Sequence, residues 1–125
     1  MTDQPQEPPR KERRRHPRSK VSIPIEFKPE GAAVASRAET ADLSLFGCYV
    51  EMSFTLAVGT KIDVILWVED ARLPTRALVV TNHPQFGNGI EFLDMSTEDQ
   101  ARLTQFLKAC EEQAEESRKQ ELPAN

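Results

Sequence analysis

Short segments in which every second residue is apolar, separated by Gly- and Pro-containing turns, constrain this chain more than any other feature. In Val21 to Phe27 the residues Val21, Ile23, Ile25 and Phe27 share one face, and in Lys61 to Glu69 the residues Ile62, Val64, Leu66 and Val68 do the same. A period of two is the mark of a strand with one buried face. Weaker segments of the same kind follow at Ser36 to Asp42 and at Cys48, Val50 and Met52, then at Arg76 to Asn82 and Gly89 to Leu93. Pro24 places the first strand at an edge or a bulge. Ser96, with Asp99 three residues on, resembles a capping box, and Leu103, Phe106, Leu107, Cys110 and Ala114 follow at helical spacing. Six strands and one helix predict a mainly all-β fold, a small antiparallel barrel or sandwich capped by one C-terminal helix. In the fifth strand Ala77, Leu78, Val79 and Val80 are apolar on both faces. The helix is therefore expected to cover an outer face, with Trp67 beneath it.

A length of 125 residues allows one compact domain. The expected organisation is a disordered tail over 1–11, a domain over 12–117 and a C-terminal tail over 118–125. Within the domain, 12–18 is an arginine loop, 20–94 the barrel and 97–117 the helix. The three prolines and near absence of aliphatic residues in 1–11 leave nothing to offset the entropy of ordering. No apolar run approaches the roughly 18 residues that span a bilayer, and the start of the chain carries no apolar leader. A cytoplasmic protein without membrane insertion is expected. Cys48 and Cys110 lack the spacing of a zinc site or a disulfide framework and read as small buried hydrophobes. His16 and His83 stand singly beside prolines and read as surface residues, so no metal and no cofactor is expected. Phe86 could stack a base, and paired catalytic carboxylates are not identifiable by spacing.

The net charge is −4, but residues 1–20 hold seven Lys/Arg against three Asp/Glu, whereas residues 96–125 hold four against seven. A basic front on an acidic body suits a small anionic ligand better than a long phosphate backbone, which the body would repel. The basic cluster is rich in arginine, at Arg13, Arg14, Arg15 and Arg18, and Pro17 disfavours a helix through it. It reads either as a solubilising or polyanion-attracting arm or as a recognition loop. Arginine favours the second, because its planar fork makes paired contacts to phosphate and to the O6/N7 edge of guanine. Asp42-Leu43-Ser44-Leu45-Phe46-Gly47 has two readings as well. It can be an Asx-type turn, with Gly47 supplying a positive φ or room. It can also be a ligand site, with Asp42 accepting from the N1–H and N2–H donors of guanine, Ser44 offering a hydroxyl and Gly47 letting a base approach.

Together the two stretches resemble the PilZ domain family, receptors for the bacterial second messenger cyclic di-GMP. Arg14-Arg15-His16-Pro17-Arg18 matches its RxxxR motif, Asp42 to Gly47 matches [D/N]xSxxG, and Gly87-Asn88-Gly89-Ile90-Glu91-Phe92 resembles its late GxGhxF strand. The resemblance covers about residues 12 to 110 and implies a six-stranded antiparallel split β-barrel with one C-terminal α-helix. It implies that Arg14 and Arg18 grip guanine edges and phosphates, joined by Arg13, that Asp42 and Ser44 hold a guanine, and that Gly47 leaves space for it. Arg13, immediately before RxxxR, implies two stacked cyclic di-GMP molecules. The expected function is a single-domain, non-enzymatic cyclic di-GMP receptor that orders its arginine loop over the ligand and relays the signal to a partner protein of unknown identity. The alternative is a ligand-independent PilZ-like adaptor for protein interactions. A third reading, a nucleic-acid-binding barrel, ranks below both, and neither DNA nor RNA is an expected partner. An enzyme is not expected, because no nucleophile–base pair, metal cluster or GxxxxGK[ST] loop is present.

Overall fold

The computed structural model describes residues 19–121, with side chains as far as Ser117. The expected tail over 1–11 and the arginine loop over 12–18 lie outside the described residues. Six strands, β1 (Pro24–Pro29), β2 (Ser36–Leu43), β3 (Gly47–Glu51), β4 (Lys61–Val68), β5 (Ala71–His83) and β6 (Gly87–Phe92), precede one helix, α1 (Thr97–Glu121). The strands close into a barrel in the order β1-β2-β3-β6-β5-β4, every pair antiparallel and β4 returning to β1. Closure removes the free edges that a six-stranded sheet would otherwise present.

The alternating faces are where the sequence places them. Ile23, Ile25 and Phe27 join Ile62, Val64, Leu66 and Val68 in one core with Leu43, Cys48, Val50, Leu73, Val79 and Ile90. Val21 to Ile23 precede the first strand proper, yet they keep its alternation because Thr40 stitches them to β2. The Thr40 hydroxyl donates to the Val21 carbonyl at 2.7 Å and accepts from the Ile23 N–H at 3.1 Å. Gly47, Gly87 and Gly89 lie on strands, where β3 and β6 pair closely. The crossing loop between β3 and β4 is held by the buried Asn88, whose amide accepts from the Leu56 N–H and donates to the Leu56 carbonyl, both at 2.8 Å.

Three local expectations need revision. β5 begins at Ala71, five residues before Arg76, because Glu69 and Asp70 form a tight hairpin turn in which Glu69 takes a φ of 55°. Trp67 lies over β1, its indole N–H donating to Glu26 at 3.0 Å beside Pro24, Arg37 and Ala38. The helix does not roof β5. Its buried Leu103 belongs to the barrel core, with Phe106 and Leu107 packed against it, while Val80 on the outer face of β5 is 37% exposed. Phe106 and Ala109 face Val68 and Ala71 across the β4–β5 turn, which places the helix at that end of the barrel. Ser96 caps it, its hydroxyl accepting from the Asp99 N–H at 3.1 Å. The helix runs past residue 117 to Glu121, and from Glu111 to Ser117 it is exposed on every side.

Cys48 is buried in the core. Cys110 is half-buried, and burial first, then the neighbouring Glu69 carboxylate, push its thiol pKa up. Among the described residues, no group of three or more His, Cys, Asp or Glu could hold a metal ion, and no helix is long and apolar enough to cross a membrane.

Candidate functional site

The turn from β2 to β3 is built from the polar side chains that the sequence singles out. The Ser44 N–H donates to the Gly47 carbonyl at 2.8 Å, and the Ser44 hydroxyl donates to the same oxygen at 3.3 Å. That hydroxyl also accepts from the Phe46 N–H at 3.2 Å. Ser44 is buried, so its oxygen serves the turn first. Asp42 is half-buried at the end of β2, and its Oδ1 accepts from the Tyr49 N–H at 3.1 Å. This hydrogen bond spans an irregularity in the ladder, where the register shifts between Thr40 and Asp42. A bulge of this kind re-aims a side chain relative to the strand, and here the re-aimed residue is the carboxylate.

Gly47 has no positive φ; the glycines that do are Gly31 and Gly59. Its requirement is closeness, because a Cβ at this position would run into the Ile90 carbonyl oxygen. Gly47 therefore shapes the site by letting β3 lie against β6. The same applies at Gly87, where a Cβ would come within 2.8 Å of the Tyr49 ring.

Asp42, Ser44 and Gly47 are thus gathered in one turn, while Arg13, Arg14 and Arg18 lie outside the described residues. What links the two groups is Ser19. Its N–H donates to the Leu43 carbonyl and its carbonyl accepts from the Leu43 N–H, both at 2.9 Å, forming an isolated antiparallel bridge between Asp42 and Ser44. The residue following Arg18 is therefore fastened to the middle of the DxS segment. The charge pattern gives no hint of this bridge, since it depends on a pairing across 24 positions.

Tyr49 is the second feature that the sequence does not single out. It is the cross-strand partner of Asp42, its ring lies over Gly87, and its hydroxyl makes a 3.1 Å hydrogen bond with Nδ1 of His83. The two rings are tilted by 43° with centroids 5.7 Å apart. His83 is thus a surface residue with a specific aromatic partner.

Comparison with known proteins bears on this arrangement. The family model described as the PilZ domain matches residues 12–109, a span that includes both motifs and all six strands. A search of the curated proteins finds no match. Among solved structures, the chain is similar to YcgR from Escherichia coli in complex with c-di-GMP, with a TM-score of 0.69 and 19% identity over 86% of this chain and 50% of that one. It is similar to the Bacillus subtilis inhibitor of motility MotI/DgrA, with a TM-score of 0.65 and 19% identity over 78% of this chain and 51% of that one. The PilZ domain of CeSA from a cellulose-synthesizing bacterium gives a TM-score of 0.58 and 21% identity, covering 75% of this chain and 97% of that one. This chain therefore spans about half the length of MotI and of YcgR, and nearly the whole of the isolated CeSA domain. With RxxxR before the first strand, DxSxxG in the β2–β3 turn and the family match over 12–109, the chain belongs to the PilZ domain family.

Proposed function

We propose that this protein is a non-enzymatic receptor for cyclic di-GMP, which it binds between Arg13, Arg14 and Arg18 on one side and the Asp42–Gly47 turn on the other. The observation that carries the reading is the Ser19–Leu43 bridge. Consecutive Cα atoms are about 3.8 Å apart, so Arg18 starts one step from the pinned residue, and Arg14 lies within about 18 Å of it even in a fully extended chain. Both guanidinium groups can reach a ligand seated against Asp42. The carboxylate of Asp42 suits the N1–H and N2–H edge of guanine, and the arginines suit the phosphates and the O6/N7 edge. Ser44 and Gly47 contribute through the turn that presents Asp42. The c-di-GMP named with YcgR, a relative in fold, supports the same ligand class.

In this mechanism the ligand phosphates neutralise the clustered arginines and draw residues 12–18 onto the barrel. The closed arm and bound ligand form a new surface, which a partner protein reads. A ligand can shift this balance only by binding the closed state more tightly. Arg13, before the RxxxR pair, favours two stacked ligand molecules per chain.

Trypsin, which cuts after Lys and Arg, reads the closure directly. Bound cyclic di-GMP is expected to slow cleavage between Arg10 and Arg18 at least tenfold while leaving cuts in the C-terminal helix unchanged. Equal cleavage with and without saturating ligand would refute the closing arm.

A further inference from the structure

A groove of about 480 Å³ opens between the end of β3 and the β5–β6 turn, lined by Tyr49, Glu51, Met52, Ser53, Gln85 and Phe86. The geometry points to this groove as a seat for a guanine base, separate from the one at Asp42. The inference rests on the cyclic di-GMP reading and deepens it, because a cyclic dinucleotide carries two guanines.

Its walls are fixed in advance. The Tyr49 ring is laid over Gly87 and held at its hydroxyl by His83. Opposite, the Met52 N–H donates to the Phe86 carbonyl at 3.0 Å, and the Phe86 N–H donates to the His83 carbonyl at 2.9 Å. This turn holds Phe86 out at the surface, 71% exposed, where its ring gains little from the core. Gln85 occupies the left-handed region at a φ of 71°, a conformation that glycine would adopt without strain, yet the position carries an amide. Two aromatic rings set apart at the surface match the way proteins hold single bases, which stack on aromatic faces.

The polar groups select the base. The Glu51 carboxylate is an acceptor only, which fits the adjacent N1–H and N2–H donors of guanine and opposes the acceptor N1 of adenine. Gln85 adds an amide with both donor and acceptor. The position also fits: Tyr49 faces Asp42 across the ladder, and Glu51 lies two residues along the same strand, about 7 Å on. A ligand anchored at Asp42 thus has the groove beside it on the same outer face.

Titration of the full chain with cyclic di-GMP and with cyclic di-AMP, for wild type, Glu51→Gln and Phe86→Ala, tests this seat. Both positions are exposed, so both variants are expected to melt as wild type does. Each is expected to bind cyclic di-GMP about tenfold more weakly, and Glu51→Gln is expected to narrow the preference over cyclic di-AMP. Proton spectra of the ligand add a direct reading: ring stacking should move a guanine H8 signal upfield in the wild-type complex, and Phe86→Ala should lose much of that shift. Wild-type binding with unchanged affinities and unchanged H8 shifts in both variants would overturn the groove as a base seat and leave the receptor reading standing. Absence of binding by wild type would overturn both.

Discussion

Replacing Arg14 or Arg18 by alanine is expected to weaken cyclic di-GMP binding at least tenfold each, and replacing both at least a hundredfold. A hydrogen bond to a charged group contributes about 1.5 to 3 kcal/mol, and 1.4 kcal/mol is a factor of ten in affinity. Among the described residues the core runs from Ile23 to Leu103, and the strand entry is held by the backbone of Ser19 and the hydroxyl of Thr40. Arg→Lys at either position keeps the charge but loses the fork, so it is expected to recover only part of the affinity. Calorimetric titration of wild type and the five variants checks the series. Wild-type affinity in both single alanine variants would show that the ligand is gripped elsewhere.

The second large effect concerns Gly47. Its hydrogen atom faces the Ile90 carbonyl oxygen where β3 meets β6, and neither strand can retreat without opening the barrel. Gly47→Ala is expected to destabilise the fold by about 2 to 4 kcal/mol, a large part of the stability of a domain this size. Gly47→Val is expected to prevent folding. Gly59 provides the contrast: it has a φ of 94° and open space around a built Cβ. There alanine meets only the backbone penalty of the left-handed region, about 1 to 2 kcal/mol. Urea denaturation of the two alanine variants separates a collision from a conformational cost. Equal midpoints for Gly47→Ala and wild type would mean that β3 and β6 are less closely joined than the structure shows.

Both effects trace back to features with unequal visibility in the sequence. β1 and β4 are legible because their alternation is strict and matches burial on a single interior face. The first half of β5 is hidden by Pro74 and Arg72, which read as loop, yet both point outward and exposed in a strand paired residue for residue with β4. Apolar residues on both faces of β5 suggest an external cover, whereas the helix contributes to the interior through Leu103 and leaves Val80 partly exposed. In the site, Asp42, Ser44 and Gly47 are legible because a turn motif is local. Gly47 looks like a residue chosen for φ, and only the register with β6 shows that it is chosen for size. The Ser19–Leu43 bridge and the Asp42–Tyr49 pairing are set by strand register between distant segments, so single-sequence periodicity carries no trace of them.

The register also places Asp42, Tyr49 and Glu51 along one outer face, next to the point where the arginine-bearing segment enters the barrel. In the proposed function the Asp42 carboxylate reads a base, the arginines are tethered within reach through Ser19, and the turn built by Ser44 presents the carboxylate. Isothermal titration of the full chain with cyclic di-GMP, beside GMP and cyclic di-AMP and repeated on Asp42→Ala, tests that claim most directly. The account predicts selective binding of cyclic di-GMP, with two molecules per chain, and its loss in Asp42→Ala. No heat at high ligand concentration, or equal binding by Asp42→Ala, would contradict it and leave the two motifs as parts of a scaffold.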